Sequence, residues 1–534
     1  MKIAFYGAVH EVTGSCTVVY TAEKTIMIDC GLEQGQDIYE NVSMPITPAD
    51  VDILLLTHAH IDHSGKIPYL TANGFTGNIY CTEATRKLCG IMLLDSAHIQ
   101  EFEAQWRNRK AKRSGKEPYV PLYTADDASK ALNQFKGCEY NKEYVLSDGV
   151  KICFTDAGHL LGSASISLTV TENGEEETIV FSGDLGNINR PLIKDPDVPP
   201  KADYVVIEST YGNRLHGERP DYVFQLTKII NKTFEKGGNV VIPSFAIGRT
   251  QELLYLIRKI KEDKLITRYP NFPVYVDSPL ATEATEIYSG DLLDYYDDEA
   301  LELLEKGINP IKFPNLRLSV TSDDSMAINR DNTPKIIISA SGMCEAGRIR
   351  HHMKHNLWKE ESTILFVGYQ AEGTLGRTII EGATSVKLFG ETIQVKARIE
   401  QLVGISGHGD REILTNWLKS IKTKPKAVFV NHGGDSVCDE FAEHIKNEIS
   451  INAIAPYSGG EYDLESMECI VKGNTKKIEK TAYIKSHTES SAFAKLLGAG
   501  KKLMNVIEKY RECANKDILK FASNVQSLAD KWDK

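Results

Sequence analysis

Three histidines and an aspartate crowd into six residues, His58-Ala59-His60-Ile61-Asp62-His63, directly behind the apolar run Val51 to Leu56. Imidazole and carboxylate together form the ligand chemistry of divalent cations such as zinc. The preceding run has strand length, so the cluster begins at a strand end. In an extended or turning segment, side chains two apart point the same way, which lets His58 and His60 share one ion. Asp62 and His63 then fall on the next turn and reach a second ion.

Three further apolar runs end on one more candidate ligand each: Asp156-Ala157-Gly158-His159, Ser182-Gly183-Asp184 and Val430-Asn431-His432. Carboxyl ends of neighbouring strands converge on one edge of a sheet. Together His58, His60, Asp62, His63, His159, Asp184 and His432 suffice for two ions. One ion would take His58, His60 and His159, the other Asp62, His63 and His432, with Asp184 between them and an open position left for a shared hydroxide.

A chain of 534 residues, 42% hydrophobic and 25% charged, has room for two or three globular domains. Residues 1–208 alternate short β-branched runs with Gly, Asn and Asp turns. Residues 209–390 change to strand, loop and long amphipathic helix, the pattern of a parallel α/β unit. Residues 391–465 return to the first pattern, so the middle block is expected to be an insertion. Residues 466–534 form a basic, mostly helical C-terminal extension. Ten cysteines without a C-x-x-C pair, and no apolar stretch near the ~20 residues of a spanning helix, predict a cytoplasmic protein with no membrane partner.

The motifs resemble the metallo-β-lactamase fold and, within it, the beta-CASP nucleases. His58-x-His60-x-Asp62-His63 matches the superfamily signature, Asp29 its first strand-end aspartate, and His159 and Asp184 its third and fourth motifs. The beta-CASP branch adds an acid matched by Glu208 and histidines matched by His408 and His432. Pro243-Ser244-Phe245-Ala246-Ile247-Gly248-Arg249, Asp277-Ser278-Pro279 and Ser339-Ala340-Ser341-Gly342-Met343 are similar to stretches of the inserted domain. DNA-processing members usually carry valine where this chain has His432, which places it with the RNA-specific branch. That branch includes the endonuclease subunit of the cleavage and polyadenylation factor and its bacterial and archaeal relatives. One departure is His432-Gly433-Gly434-Asp435, where the family usually has His-Gly-Glu.

The resemblance implies an αβ/βα metallo-β-lactamase sandwich with an inserted parallel α/β beta-CASP domain. It implies a zinc-dependent, or manganese-dependent, ribonuclease acting on single-stranded RNA, endonucleolytic, with 5′ exonuclease action as a second mode. Pairing of two copies through the C-terminal region is also expected. Asp29 would act at the hydroxide or on a ligand histidine, and His408 paired with Glu208 would protonate the leaving oxygen. Ser244, Arg249, Ser341, Gly342 and Arg377 would face RNA phosphates, on strand-to-helix loops whose amides and charges suit an anion. Two other readings compete: a small-molecule metallohydrolase, which leaves the ~180-residue insertion unexplained, and an RNA-binding scaffold, which leaves the ligand set unexplained.

The formal charge of -11 speaks against a polyanionic partner. Its distribution weakens that objection. Residues 471–534 hold 14 Lys and Arg against 7 Asp and Glu, and Trp106 to Glu117 holds six against one. The acids around the expected ions would face two dications, which reverse the local field.

Overall fold

The computed structural model describes residues 1–34, 40–41, 46–114, 118–290, 292–402, 404, 406–478, 499–500, 503–504, 506–507 and 515–532. Of the C-terminal extension, residues 479–498, 501–502, 505, 508–514 and 533–534 lie outside the described residues, as do Lys116 and Glu117 of the basic island.

Two sheets stack face to face. The first has eight strands in the order Cys469–Val471, Gly460–Asp463, Lys2–Gly7, Cys16–Tyr20, Thr25–Ile28, Ile53–Leu55, Asn78–Thr82 and Phe135–Cys138. The second has seven: Asn452–Ile454, Ala427–Asn431, Tyr204–Glu208, Glu175–Phe181, Ala164–Glu172, Val150–Asp156 and Glu143–Ser147. Alternation along each strand divides its side chains between two faces. Ile3, Phe5, Ile26, Ile28, Phe154, Ile166, Phe181 and Phe429 point inward and form the layer between the sheets. Met27, Leu54 and Ile79 point outward under Leu88 and Met92 of the long helix Glu83–Ser114. On the opposite side Val180, Val205 and Val428 pack under the helices Arg411–Ser420 and Asp435–Ile449. The result is the four-layer αβ/βα sandwich.

The middle of the chain forms a third sheet, every neighbouring pair parallel, in the order Leu316–Ser319, Val274–Asp277, Ile336–Ser339, Val240–Pro243, Thr363–Val367 and Arg398–Leu402. Its central strands are apolar on both faces, as in Val240-Val241-Ile242 and Ile336-Ile337-Ile338, because helices cover both sides. The last strand, Arg398–Leu402, lies beyond residue 390, so this sheet takes up the start of the segment in which the first pattern returns. Nothing in those residues separates an edge strand of one sheet from the next strand of the other; only its pairing with Thr363–Val367 does.

Strand direction sets the functional edge. Tyr204–Glu208 runs parallel to both Glu175–Phe181 and Ala427–Asn431, and Val150–Asp156 shares that direction through two antiparallel steps. Their carboxyl ends therefore deliver His159, Asp184, Glu208 and His432 to one rim. In the other sheet Thr25–Ile28 and Ile53–Leu55 are also parallel, so Asp29 and the His58–His63 segment arrive together. The approach is close: a β-carbon on Gly31 would lie 1.7 Å from the Asp62 carbonyl oxygen, so only glycine fits beneath that turn.

Candidate metal centre

The rim gathers all seven expected ligands into two groups. Donor atoms of His58, His60, His159 and Asp184 lie within 4.8 Å of one another, and so do those of Asp62, His63 and His432. Asp184 stands between the groups. Its Oδ2 is 3.5 Å from His58 Nε2 and 3.6 Å from His159 Nε2, while its Oδ1 is 3.3 Å from His63 Nε2. Each carboxylate oxygen thus faces a different group.

The outer nitrogens of four rings are held from behind. His159 Nδ1 donates to the Gly407 carbonyl at 3.1 Å, and His63 Nδ1 to Asp29 Oδ2 at 2.7 Å. The Thr57 hydroxyl donates to Asp29, so it accepts from His58 Nδ1 at 3.1 Å. Thr210 Oγ1 donates to the His432 carbonyl and stands 3.2 Å from His432 Nδ1, a nitrogen that also lies 3.5 Å from Asp184 Oδ1. Holding the outer nitrogen fixes the tautomer and leaves the inner nitrogen as a bare lone pair.

Those inner nitrogens meet one another. His63 Nε2 and His432 Nε2 are 3.1 Å apart, and His60 Nδ1 lies 3.1 Å from His58 Nε2 and 3.2 Å from His159 Nε2. Converging lone pairs repel unless positive charge sits among them. Asp184 Oδ1 is buried without a hydrogen-bond partner, which makes the same demand. The donor set therefore fits two divalent cations.

The protonation preferences differ between the two groups. Burial holds His58, His60 and His159 below the usual imidazole range, so they are the neutral rings a cation needs. Burial also opposes charge on His63, but the Asp184 and Asp29 carboxylates outweigh it and raise its pKa. Burial works against the Asp184 anion too, and His432, His63 and His58 more than compensate, keeping it ionised. Asp62 is brought down to about 2 against burial by His432 and His63.

Asp29 sits behind His63, away from the centre. Its backbone is left-handed, φ 58°, which turns the carboxylate back under the Thr57 amide. Its oxygens accept from Thr57, Ser15 and His63, so of its two expected roles the geometry carries orientation of a ligand. Asp29→Asn should weaken the ion held by His63 about 10–100-fold, the usual loss for an outer-shell partner, measured by competition with a chelating dye. Wild-type affinity in that variant would remove Asp29 from the site.

His408 lies over the gap between the groups. Its Nδ1 is 3.1 Å from Glu208 Oε1 and its ring centroid 4.5 Å from that of His159. Glu208 is buried and fixed by the Leu185 and Thr210 amides. Burial would lower His408, but Glu208 and Asp184 raise it to about 9, so the ring is protonated at neutral pH. Asp184, Glu208 and His408 also form a third group of donors within 4.8 Å. Asp435 takes no part here, because it opens the helix Asp435–Ile449 and faces His10 and Lys477.

The expected phosphate contacts are scattered. Ser244, Ser341 and Gly342 share the carboxyl edge of the third sheet, but Ser244 is buried with its hydroxyl on the Phe245 carbonyl. Ser341 bonds to the Ala346 carbonyl, and Arg377 pairs with Glu381 one helical turn on. Arg249 turns toward the sandwich and pairs with Glu252. Arg190 was not among the expected residues. It is buried against Glu252 and donates Nη1 to the carbonyls of Gly158, His159 and Gly407, tying the His159 and His408 loops to the insertion. No local pattern marks it, since all its partners are distant in sequence.

Comparison with known proteins agrees with this arrangement. The metallo-beta-lactamase superfamily profile matches residues 11–211, the Beta-Casp domain profile residues 250–379, and the Zn-dependent metallo-hydrolase RNA specificity domain profile residues 392–456. The chain is 35% identical over 434 residues to "Ribonuclease TTHA0252" of Thermus thermophilus, spanning 81% of this chain and 93% of that one. It is 31% identical over 463 residues to an "RNase J-like protein" of Methanocaldococcus jannaschii, with 86% and 98% covered. It is 30% identical over 471 residues to "Transcription termination factor FttA" of Methanosarcina mazei, with 85% and 70% covered. With its sandwich, inserted parallel sheet and rim of candidate metal ligands, the chain belongs to the RNA-specific branch of the beta-CASP family in the metallo-β-lactamase superfamily.

Proposed function

We propose that this protein is a zinc-dependent ribonuclease that cuts single-stranded RNA internally, in RNA processing or decay, in the cytoplasm. The observation that carries the reading is the convergence of His58, His60, His159, Asp62, His63 and His432 around Asp184, with the His408–Glu208 pair above them. Two divalent ions held there lower the pKa of water and offset charge on phosphate oxygens. The chain's own groups do the rest. Asp29, Thr57, Thr210 and the Gly407 carbonyl hold the ligand rings in place. Glu208 keeps His408 protonated, and His408 delivers that proton to the departing sugar oxygen. All nine cysteines among the described residues are free thiols, which suits a reducing compartment.

The purified protein, incubated with 5′-blocked, 3′-labelled single-stranded RNA and either Zn²⁺ or Mn²⁺, should release internal fragments, and a chelator should stop it. RNA left intact with both metals while a thioester is hydrolysed would replace this reading with the small-molecule one.

Two copies pair through the C-terminal extension in this reading. The helix Asn515–Trp532 carries Ile518, Phe521, Val525, Leu528 and Trp532 at alternating spacings of three and four, a single apolar stripe. Replacing Leu528 and Trp532 together by Asp should convert a dimer to a monomer in light scattering. A wild-type protein of monomer mass would refute the pairing.

A further inference from the structure

A narrow, solvent-open pocket lies where the inserted unit meets the sandwich, with Asn187, Arg190, Arg219, Tyr222, Arg249 and Glu252 as its principal polar walls. Its charge is one-sided, three guanidinium groups against a single carboxylate. Glu252 remains ionised, because Arg190 and Arg249 overcome the effect of burial and bring it down to about 2. It neutralises one arginine and leaves an excess of positive charge. Arg190 is engaged with Glu252 and three carbonyls. Arg219 is exposed at the mouth, with its guanidinium carbon 5.5 Å from the centre of the Tyr222 ring.

A second observation points into the same space. Tyr222 is 6% exposed, and its hydroxyl has no hydrogen-bond partner. A buried hydroxyl in that state loses its hydration without replacement unless something enters beside it. The oxygen faces Gly404, where a β-carbon would come within 3.2 Å of it, and Gly404 is part of the cavity wall. Ser406 lies on that wall too, two residues before His408, so the cavity adjoins the loop that carries the proton donor. Excess guanidinium charge with an unused hydroxyl donor is a phosphate-binding chemistry.

We propose that this cavity takes a phosphate group, a backbone phosphate of the RNA away from the bond that is cut, with Arg219 and Arg249 supplying charge and Tyr222 donating its hydroxyl. The assignment rests on the ribonuclease reading. It gives the insertion a defined task, gripping the strand beside the metal rim.

The test uses the full-length zinc-loaded protein with Arg219→Gln and Tyr222→Phe, both mild changes, their folding checked by circular dichroism. Three quantities are read: the salt dependence of kcat/KM on single-stranded RNA, the ratio of RNA to bis(p-nitrophenyl) phosphate turnover, and the melting temperature with inorganic phosphate. Arg219→Gln should flatten the log–log salt slope by about 0.7, the value of one single-strand contact. Both variants should lower the RNA-to-diester ratio several-fold. Wild-type slope and ratio in both would overturn the proposal. If inorganic phosphate raises the melting temperature of the wild type but not of Arg219→Gln while the RNA readings stay put, the cavity holds a free anion and the RNA assignment is overturned. A wild type that hydrolyses the small diester but no RNA would instead overturn the ribonuclease reading, and the phosphate melting series still decides whether the cavity binds an anion.

Discussion

Asp184→Asn is expected to empty both metal groups at once. Each of its oxygens faces a different cluster, so one substitution removes a ligand from both. Zinc content by mass spectrometry should fall from about two ions per chain to less than one. RNA cleavage should drop well beyond the ~10–100-fold that accompanies loss of an outer-shell partner. Stability gives a second reading. Each bound ion favours the folded chain by roughly 3 kcal/mol at a hundredfold excess over its Kd. A chelator should therefore lower the melting temperature of the wild type and leave that of Asp184→Asn nearly unchanged. A variant that keeps two tightly bound ions would show that Asp184 does not join the groups.

His408→Ala should separate proton delivery from metal binding. Loss of a general acid costs about 10²–10⁴-fold, and the ion content should stay at two. A sugar oxygen is a poor leaving group and needs the proton, whereas nitrophenolate leaves without it. The variant should therefore lose most RNA cleavage while retaining much of its activity on bis(p-nitrophenyl) phosphate. Glu208→Gln should cause a smaller loss of the same kind, because it removes the charge that keeps His408 protonated at neutral pH. Should His408→Ala shed an ion instead, His408 is a ligand together with Asp184 and Glu208, whose donor atoms lie close enough to allow it.

Much of the rim was legible because its residues follow strands with clear signatures. His58, His60, Asp62 and His63 come straight after Val51 to Leu56, and Asp184 and His432 follow runs whose shared direction carries them to one edge. The pairing of Arg377 with Glu381 was also readable from helical spacing, and it counts against Arg377 serving first as a phosphate contact. The outer shell was not legible. Whether Asp29 faces the ions or backs His63 depends on its left-handed backbone and on Thr57, and no spacing reveals that. Arg190 was hidden for the same reason, since it joins loops brought together only by the finished fold. The strand Arg398–Leu402 follows the inserted sheet because of its partner, which its own half-exposed pattern does not name.

The threading of the rim has a consequence for how such a chain is born. His63 and His432 are 369 residues apart, and the strand that ends at Asn431 sits inside the second sheet. At ~5–20 residues per second a ribosome needs roughly 20–75 s between them. The cluster of His58, His60, His159 and Asp184 can take its ion early in that interval, while the cluster of Asp62, His63 and His432 must wait for its final member. Between Asp184 and His432, a little under half of the chain, one ligand cluster is complete in sequence and the other is not. For a ribonuclease this order would keep the two-ion centre incomplete while that stretch of chain is tethered beside ribosomal RNA.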